Sequence, residues 1–220
     1  MIFEDIVRET EDIWKKVINN PMVSEIYNGT LDRKIFKFYL LQDYYYLDQS
    51  LRNMGILVSR AENIYDRIEL INILYMEANH EFTAYEKLLK SLNIDLNEAK
   101  KVKLTRANVS YTNFLLSISS LNTFAEGIAS LLPCYWTYRK IGELHQSKLV
   151  NNNDKYYQDW VSICDTPDFL ELVDKMIKLL NRNILNAGKE KEKKIINAFS
   201  MSLKFEYEFW EDVYKMREWI

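Results

Sequence analysis

No stretch of this chain alternates apolar and polar side chains at period two over a useful length, which leaves little room for strands. Apolar residues recur instead at i, i+3, i+4 and i+7, the spacing of an amphipathic helix. Breakers are scarce as well. Five glycines and three prolines among 220 residues lie far below ordinary usage and favour long helices with few tight turns. The expected fold is all-α, a single domain over 1–220, with no internal repeat and no low-complexity linker. Hydrophobic residues make up 48%, enough for a substantial core without metal or disulfide support.

The sparse punctuation places the helices. The first is expected from about Phe3 to Asn20, followed by a loop from Pro21 to Thr30 around Asn28-Gly29. Thr30 reads as the cap of a second helix, Leu31 to about Arg60, with Asp32 in its first turn. Asn63 caps a third, Ile64 to about Leu92, which ends in the polar stretch Asn93 to Asn97. Two more span roughly Ala107 to Ser119 and Thr123 to Val150, the latter bent at Pro133. Asn151 to Asp154 is a break, and a short helix follows to Cys164. Thr166-Pro167 then supplies a cap and a first-turn proline for a helix that stops at Gly188. The last runs from about Glu190 to the C-terminus.

Charge and motif patterns argue against several functions. Net charge is −3, and the most basic run, Lys189 to Lys194, alternates with Glu190 and Glu192 as a solvated helix face does, so no nucleic-acid partner is expected. The N-terminal Met-Ile-Phe-Glu-Asp-Ile-Val-Arg is charged and amphipathic, and no apolar run reaches bilayer length. A cytoplasmic protein with reduced cysteines and no membrane partner is the expectation. Glu77-Ala78-Asn79-His80 is half of a di-iron motif, but the other histidine, His145, has Gly142 where the second glutamate belongs. No cysteine pair has zinc spacing, and no histidine precedes position 80 to hold a haem. Neither metal nor cofactor is expected.

The functional signal lies in polar groups inside apolar stripes. Phe36, Tyr39, Leu40, Asp43, Tyr46, Leu47, Ser50, Leu51 and Met54 follow helical spacing with Asp43 in the middle. Phe199, Leu203, Glu206, Phe209, Trp210 and Val213 do the same around Glu206. A carboxylate taken out of water needs partners or becomes neutral. An interhelical hydrogen bond would explain one such acid as well as a site would. The third group is Cys134, directly after Pro133 in Leu-Leu-Pro-Cys-Tyr-Trp at 131–136. A proline inside a helix costs roughly 3 kcal/mol, an expense that makes sense if it aims a functional group. Free cysteine is usually buried and inert, and no histidine lies within one turn of this one. Tyr111 and Tyr138 fall on the inner faces of their helices. Fifteen tyrosines exceed what packing alone favours, because each buried hydroxyl needs a partner. Together these groups point to a polar pocket for a flat heteroaromatic ligand.

Four segments carry a resemblance. Leu-Gln-Asp-Tyr-Tyr-Tyr-Leu at 41–47, Ser-Tyr-Thr-Asn-Phe-Leu at 110–115, Leu-Leu-Pro-Cys-Tyr-Trp-Thr-Tyr at 131–138 and Phe-Glu-Tyr-Glu-Phe-Trp at 205–210 resemble the TenA/thiaminase II family, in order and over essentially the whole chain. The resemblance implies a haem-oxygenase-like helical bundle without haem, assembled as a homotetramer. It implies hydrolysis at the methylene carbon of a 4-amino-2-methylpyrimidine, with thiamin or its aminomethyl breakdown product as substrate. Hydroxymethylpyrimidine for thiamin salvage would be the product. On this resemblance Cys134 is the nucleophile and Glu206 the acid/base. Asp43 anchors the pyrimidine amino group and ring nitrogen, Tyr46, Tyr111 and Tyr138 line the pocket, and Phe209 is a stacking wall. One departure stands out: the family usually has a tyrosine where this chain has Cys164. If Cys164 faces the pocket, a disulfide with Cys134 is conceivable. A non-catalytic pyrimidine- or thiamin-binding protein on the same fold is the alternative.

Overall fold

Helix boundaries here are set mainly by short polar side chains that accept the first free backbone amides. In the computed structural model, which describes residues 1–185 and 187–219 and only the backbone of His80, twelve α-helices follow one another among the described residues. They are α1 (Phe3–Glu9), α2 (Glu11–Ile18), α3 (Pro21–Asn28), α4 (Arg33–Arg60), α5 (Ile64–Met76), α6 (Phe82–Ser91), α7 (Leu96–Ala99), α8 (Arg106–Leu121), α9 (Phe124–His145), α10 (Lys155–Cys164), α11 (Pro167–Ile184) and α12 (Lys189–Tyr214). A π-helical turn, Glu77–Glu81, joins α5 to α6, and a 3₁₀ turn, Gln146–Asn151, follows α9. No strand occurs among the described residues, so the all-α expectation holds. No helix among them is long and apolar enough to cross a membrane.

Asn63 and Thr166 cap as expected, accepting from Asp66 N at 2.8 Å and Phe169 N at 3.1 Å. Thr123 forms a reciprocal capping box with Glu126 at the start of α9. Elsewhere the breaks fall differently. The expected first helix is two, because Thr10 turns its buried hydroxyl back onto Ile6 O at 2.9 Å and leaves helical geometry. The expected loop at Pro21 is helix α3: Asn20 accepts from Met22 N at 3.0 Å, and Pro21 occupies the first turn, where its missing N–H costs nothing. Gly29, at φ +75°, closes that helix. Asp32, not Thr30, caps α4, accepting from Lys34 N at 2.7 Å. Asp95 starts the short α7 inside the expected polar stretch.

The core is arranged around α9, which runs through Pro133 as one helix and is buried on nearly every side. A helix apolar all round belongs in the interior, and α12, α11, α8, α2, α10 and α4 surround it. Gly127 sets one of these approaches. A Cβ there would stand 2.6 Å from Leu57 Cδ2 and 3.2 Å from Ser119 Oγ, so a larger residue would have to move the Leu57 side chain and Ser119 where α9 meets α4 and α8.

Candidate active site

Six elements bring the side chains named below to one chamber in this core. Helix α4 supplies Tyr39, Asp43 and Tyr46, the π turn Glu81, and α9 Cys134 and Tyr138. Cys164 closes it from the end of α10. A second lobe shares Asp43, Tyr46, Cys134 and Tyr138 and adds Tyr111 from α8 with Glu206 and Phe209 from α12. With side chains in place the lobes hold cavity volumes of only about 20 and 10 Å³, about one water each. Outside them, between the π turn and the α10–α11 junction, lies a cleft of about 320 Å³. Glu81, Ile163 and Phe169 belong to both chamber and cleft and form the partition between them.

Hydroxyls and aromatic rings fix the chamber's walls. Tyr39 donates to Asp43 Oδ2 at 3.0 Å, stands 2.8 Å from the Tyr138 hydroxyl, and accepts from Trp160 Nε1 at 3.2 Å. Its ring stacks on Trp210 at 5.3 Å and 11°. Tyr111 pairs with Ser202 Oγ at 3.0 Å, and its ring lies 5.1 Å from that of Tyr46. The Tyr46 hydroxyl is buried and has no hydrogen-bond partner among the described residues.

The electrostatics are one-sided. No lysine, arginine or histidine lines either lobe among the described residues. Burial pushes the Asp43 carboxyl up to about 7, against the opposing pull of the Tyr39 and Tyr85 hydroxyls. Burial likewise pushes Glu206 up to about 7, with Tyr111 pulling down and Asp43 pushing further up. Cys134 is raised well above an ordinary thiol by burial and then by the Glu206 charge, with a smaller lowering from Tyr46. Both cysteines are free. A thiol held protonated beside two carboxyls that titrate near neutrality suits an addition in which the proton leaves as the sulfur attacks.

A model of the TENA/THI-4/PQQC family matches residues 7–216. The chain belongs to this family. An aminopyrimidine aminohydrolase from Halalkalibacterium halodurans is 24% identical over 214 residues, covering 97% of this chain and 96% of that protein. A TenA homologue protein from P. horikoshii OT3 superposes with a TM-score of 0.90 at 35% identity, covering 98% of this chain and 99% of the other. A domain from Shewanella denitrificans OS217 with a heme oxygenase-like fold superposes with a TM-score of 0.78 at 13% identity, covering 98% and 93%. The TENA/THI-4/PQQC bundle is thus haem-oxygenase-like, as the four sequence segments imply.

Within this TENA/THI-4/PQQC fold, Cys134, Glu206, Asp43, Tyr46, Tyr111, Tyr138 and Phe209 all lie on the two lobes, and Cys164 lies on the first. Tyr39, Trp160 and Glu81 join them without having been expected there. Tyr39 carried a signal, since it sits four residues before Asp43 on the same stripe. Glu77 is not a metal half-site as placed. Its carboxylate accepts from Ser50 at 2.9 Å and Tyr135 at 2.6 Å. The His80 side chain of that motif lies outside the described residues.

Proposed function

We propose that this protein is a hydrolase of thiamin salvage, releasing 4-amino-5-hydroxymethyl-2-methylpyrimidine from the 5-aminomethyl compound or from thiamin. The observation that carries this reading is the convergence of a thiol, two carboxyls titrating near 7 and a wall of tyrosines on one chamber. The name of the Halalkalibacterium halodurans relative, aminopyrimidine aminohydrolase, agrees with it.

In this reading Asp43 holds the edge of the ring. A carboxylic acid offers one donor and one acceptor, matching a ring nitrogen and the adjacent amino group of a neutral aminopyrimidine. Phe209 packs on the ring face, and the hydroxyls of Tyr46, Tyr111 and Tyr138 supply the remaining polar wall. Cys134 Sγ forms a bond to a ring carbon while its proton passes to the Glu206 carboxylate and the ring nitrogen takes the Asp43 proton. The electron-rich adduct expels the cationic substituent by breaking the bond at the exocyclic methylene, so that it departs as neutral ammonia or thiazole, and a protonated Glu206 can then give its proton to the ammonia. Water then adds to the methylene, losing a proton to Glu206. As the sulfur–carbon bond breaks, Glu206 returns that proton to the sulfur and the ring nitrogen returns its proton to Asp43, which restores thiol and acid. Carboxyls near 7 can serve as acid and base in turn at neutral pH.

The same reading takes 1–220 as one domain of a cytoplasmic homotetramer without a nucleic-acid partner. Supporting self-association, Ile64, Ile68, Ile71 and Tyr75 form an exposed apolar stripe on α5 at alternating spacings of four and three.

A non-catalytic pyrimidine-binding protein is favoured by one observation, the thiol held far from its reactive form. Hydroxymethylpyrimidine release by reduced protein, offered thiamin and the aminomethyl compound separately, tests the two readings. Release that disappears in Cys134→Ser supports the hydrolase. No release from either compound by a folded protein that still binds pyrimidine would make it a binder.

A further inference from the structure

Glu81 is the one chamber acid to which neither the sequence nor the mechanism above gives a role. It lies at the end of the π turn, a rare helical form found mostly at functional sites. Four residues earlier stands Glu77, a like charge at a helical spacing that is itself destabilising. Glu77 is compensated by Ser50 and Tyr135. No hydrogen bond or ion pair reaches Glu81 among the described residues. Burial, then Glu77 and Asp43, push its carboxyl well above the usual range. An acid that costs stability and supports no neighbour is a candidate ligand group. The hydroxyl of Tyr46, buried in the same chamber without a well-formed hydrogen bond and with only the weakly polar Cys134 thiol and the Tyr111 hydroxyl beside it, is a second group open to a polar ligand.

Position narrows the ligand. Asp43 reaches both lobes and Glu206 only the inner one, whereas Glu81 lies on the outer lobe and in its partition from the cleft. A pyrimidine edge-bound by Asp43 would direct its 5-methylene substituent outward. In both substrate candidates that substituent is a cation, and no basic side chain lines the chamber to repel it. We infer that Glu81 receives the cationic substituent of the substrate, a primary ammonium or a quaternary thiazolium nitrogen, where the chamber meets the cleft. This rests on the aminopyrimidine reading above. A cation stabilises the ionised form of Glu81, so binding draws a proton off it. The attraction ends with the reaction, because the hydroxymethyl product carries no charge at that position. Glu81 thus discriminates substrate from product as well as cationic from neutral substituents.

Calorimetric titration of Cys134→Ser protein at pH 7, with and without Glu81→Gln, tests the assignment. The probes are the aminomethyl and the hydroxymethyl pyrimidines. Glu81→Gln is expected to weaken the aminomethyl compound about tenfold or more, the range of a charge-assisted hydrogen bond, and the hydroxymethyl compound less than about twofold. The variant's melting temperature should not fall, because it relieves repulsion from Glu77 and Asp43. Equal losses for both ligands, no loss for either, or a lower melting temperature with an unchanged ligand ratio would overturn the role of Glu81 alone. Failure of the Glu81-bearing protein to bind either pyrimidine would overturn the aminopyrimidine reading and this one with it.

Discussion

Tyr39 and Asp43 sit one turn apart on α4, and the tyrosine hydroxyl donates to the carboxylate at 3.0 Å inside the protein core. That bond favours the ionised acid and opposes the burial that drives Asp43 up to about 7. Removing the hydroxyl in Tyr39→Phe therefore moves the carboxyl further up, by on the order of one unit for one buried hydrogen bond. An acid form of Asp43 that pairs with a neutral aminopyrimidine is lost as pH rises through that value. Affinity for hydroxymethylpyrimidine should decline above about pH 7 in the native protein. In Tyr39→Phe it should persist to higher pH. Titrations at pH 6, 7, 8 and 9 check this, and an unshifted decline would mean that Asp43 binds as the carboxylate.

Glu206 is expected to matter for turnover more than for binding. Glu206→Gln keeps the shape and the burial but cannot carry a proton between thiol, leaving group and water. The loss in kcat should be about 10²- to 10⁴-fold, the usual range for one acid/base group, with product affinity nearly unchanged. The pH limb of kcat/KM near 7 that belongs to Glu206 should vanish with it. A variant that loses binding and turnover in the same proportion would assign Glu206 to substrate anchoring.

Much of this site was legible in the chain, for a physical reason that also sets the limit. Helical periodicity reports which side chains point inward, so Asp43, Glu206 and Tyr111 stood out as polar positions in apolar stripes. It does not report which buried hydroxyl reaches which acid, and Tyr39 therefore read as core. Glu77 looked like a metal half-motif because its partners, Ser50 and Tyr135, lie 27 and 58 residues away. Glu81 stands in the polar run Asn79-His80-Glu81, and only the packing of α10 and α11 beside the π turn encloses it. Pro21 illustrates the same limit in the fold. A proline stops a helix from one side and starts one from the other, and Asn20 before it decides the outcome.

Thiol reactivity follows the same electrostatics. Cys134 and Cys164 are both raised well above ordinary thiols, chiefly by burial. Alkylation of the ligand-free protein by iodoacetamide should be slow at pH 8 compared with a free thiol, and should still be rising at pH 9.5, where an unperturbed cysteine is already mostly thiolate. The Glu206 charge is the second cause at Cys134 but is not among those at Cys164. Glu206→Gln should therefore accelerate labelling of Cys134 selectively, resolved by peptide mass spectrometry. Equal acceleration at both would mean a general opening of the core.

The raised carboxyls also predict how stability varies with pH. Asp43 and Glu206 ionise near 4 in the unfolded chain and near 7 when folded. Between those values the folded state binds more protons, so stability falls as pH rises from about 4 to about 7 and levels off above. Their stabilising effect is complete below the unfolded values and gone above the folded ones. Shifts of this size correspond to roughly 4 kcal/mol for Asp43 and roughly 3 kcal/mol for Glu206 at full effect. Coupling between the two and structural relaxation reduce what a single variant recovers. Glu206→Gln should raise the melting temperature at pH 8 by about 2–6 °C, from roughly 2–4 °C per kcal/mol in a chain of this size. The gain should shrink below pH 5, where the native glutamate is protonated in the fold and partly so when unfolded. A variant equally destabilised at both pH values would show that the Glu206 carboxylate contributes to the core, not only to the chemistry placed there.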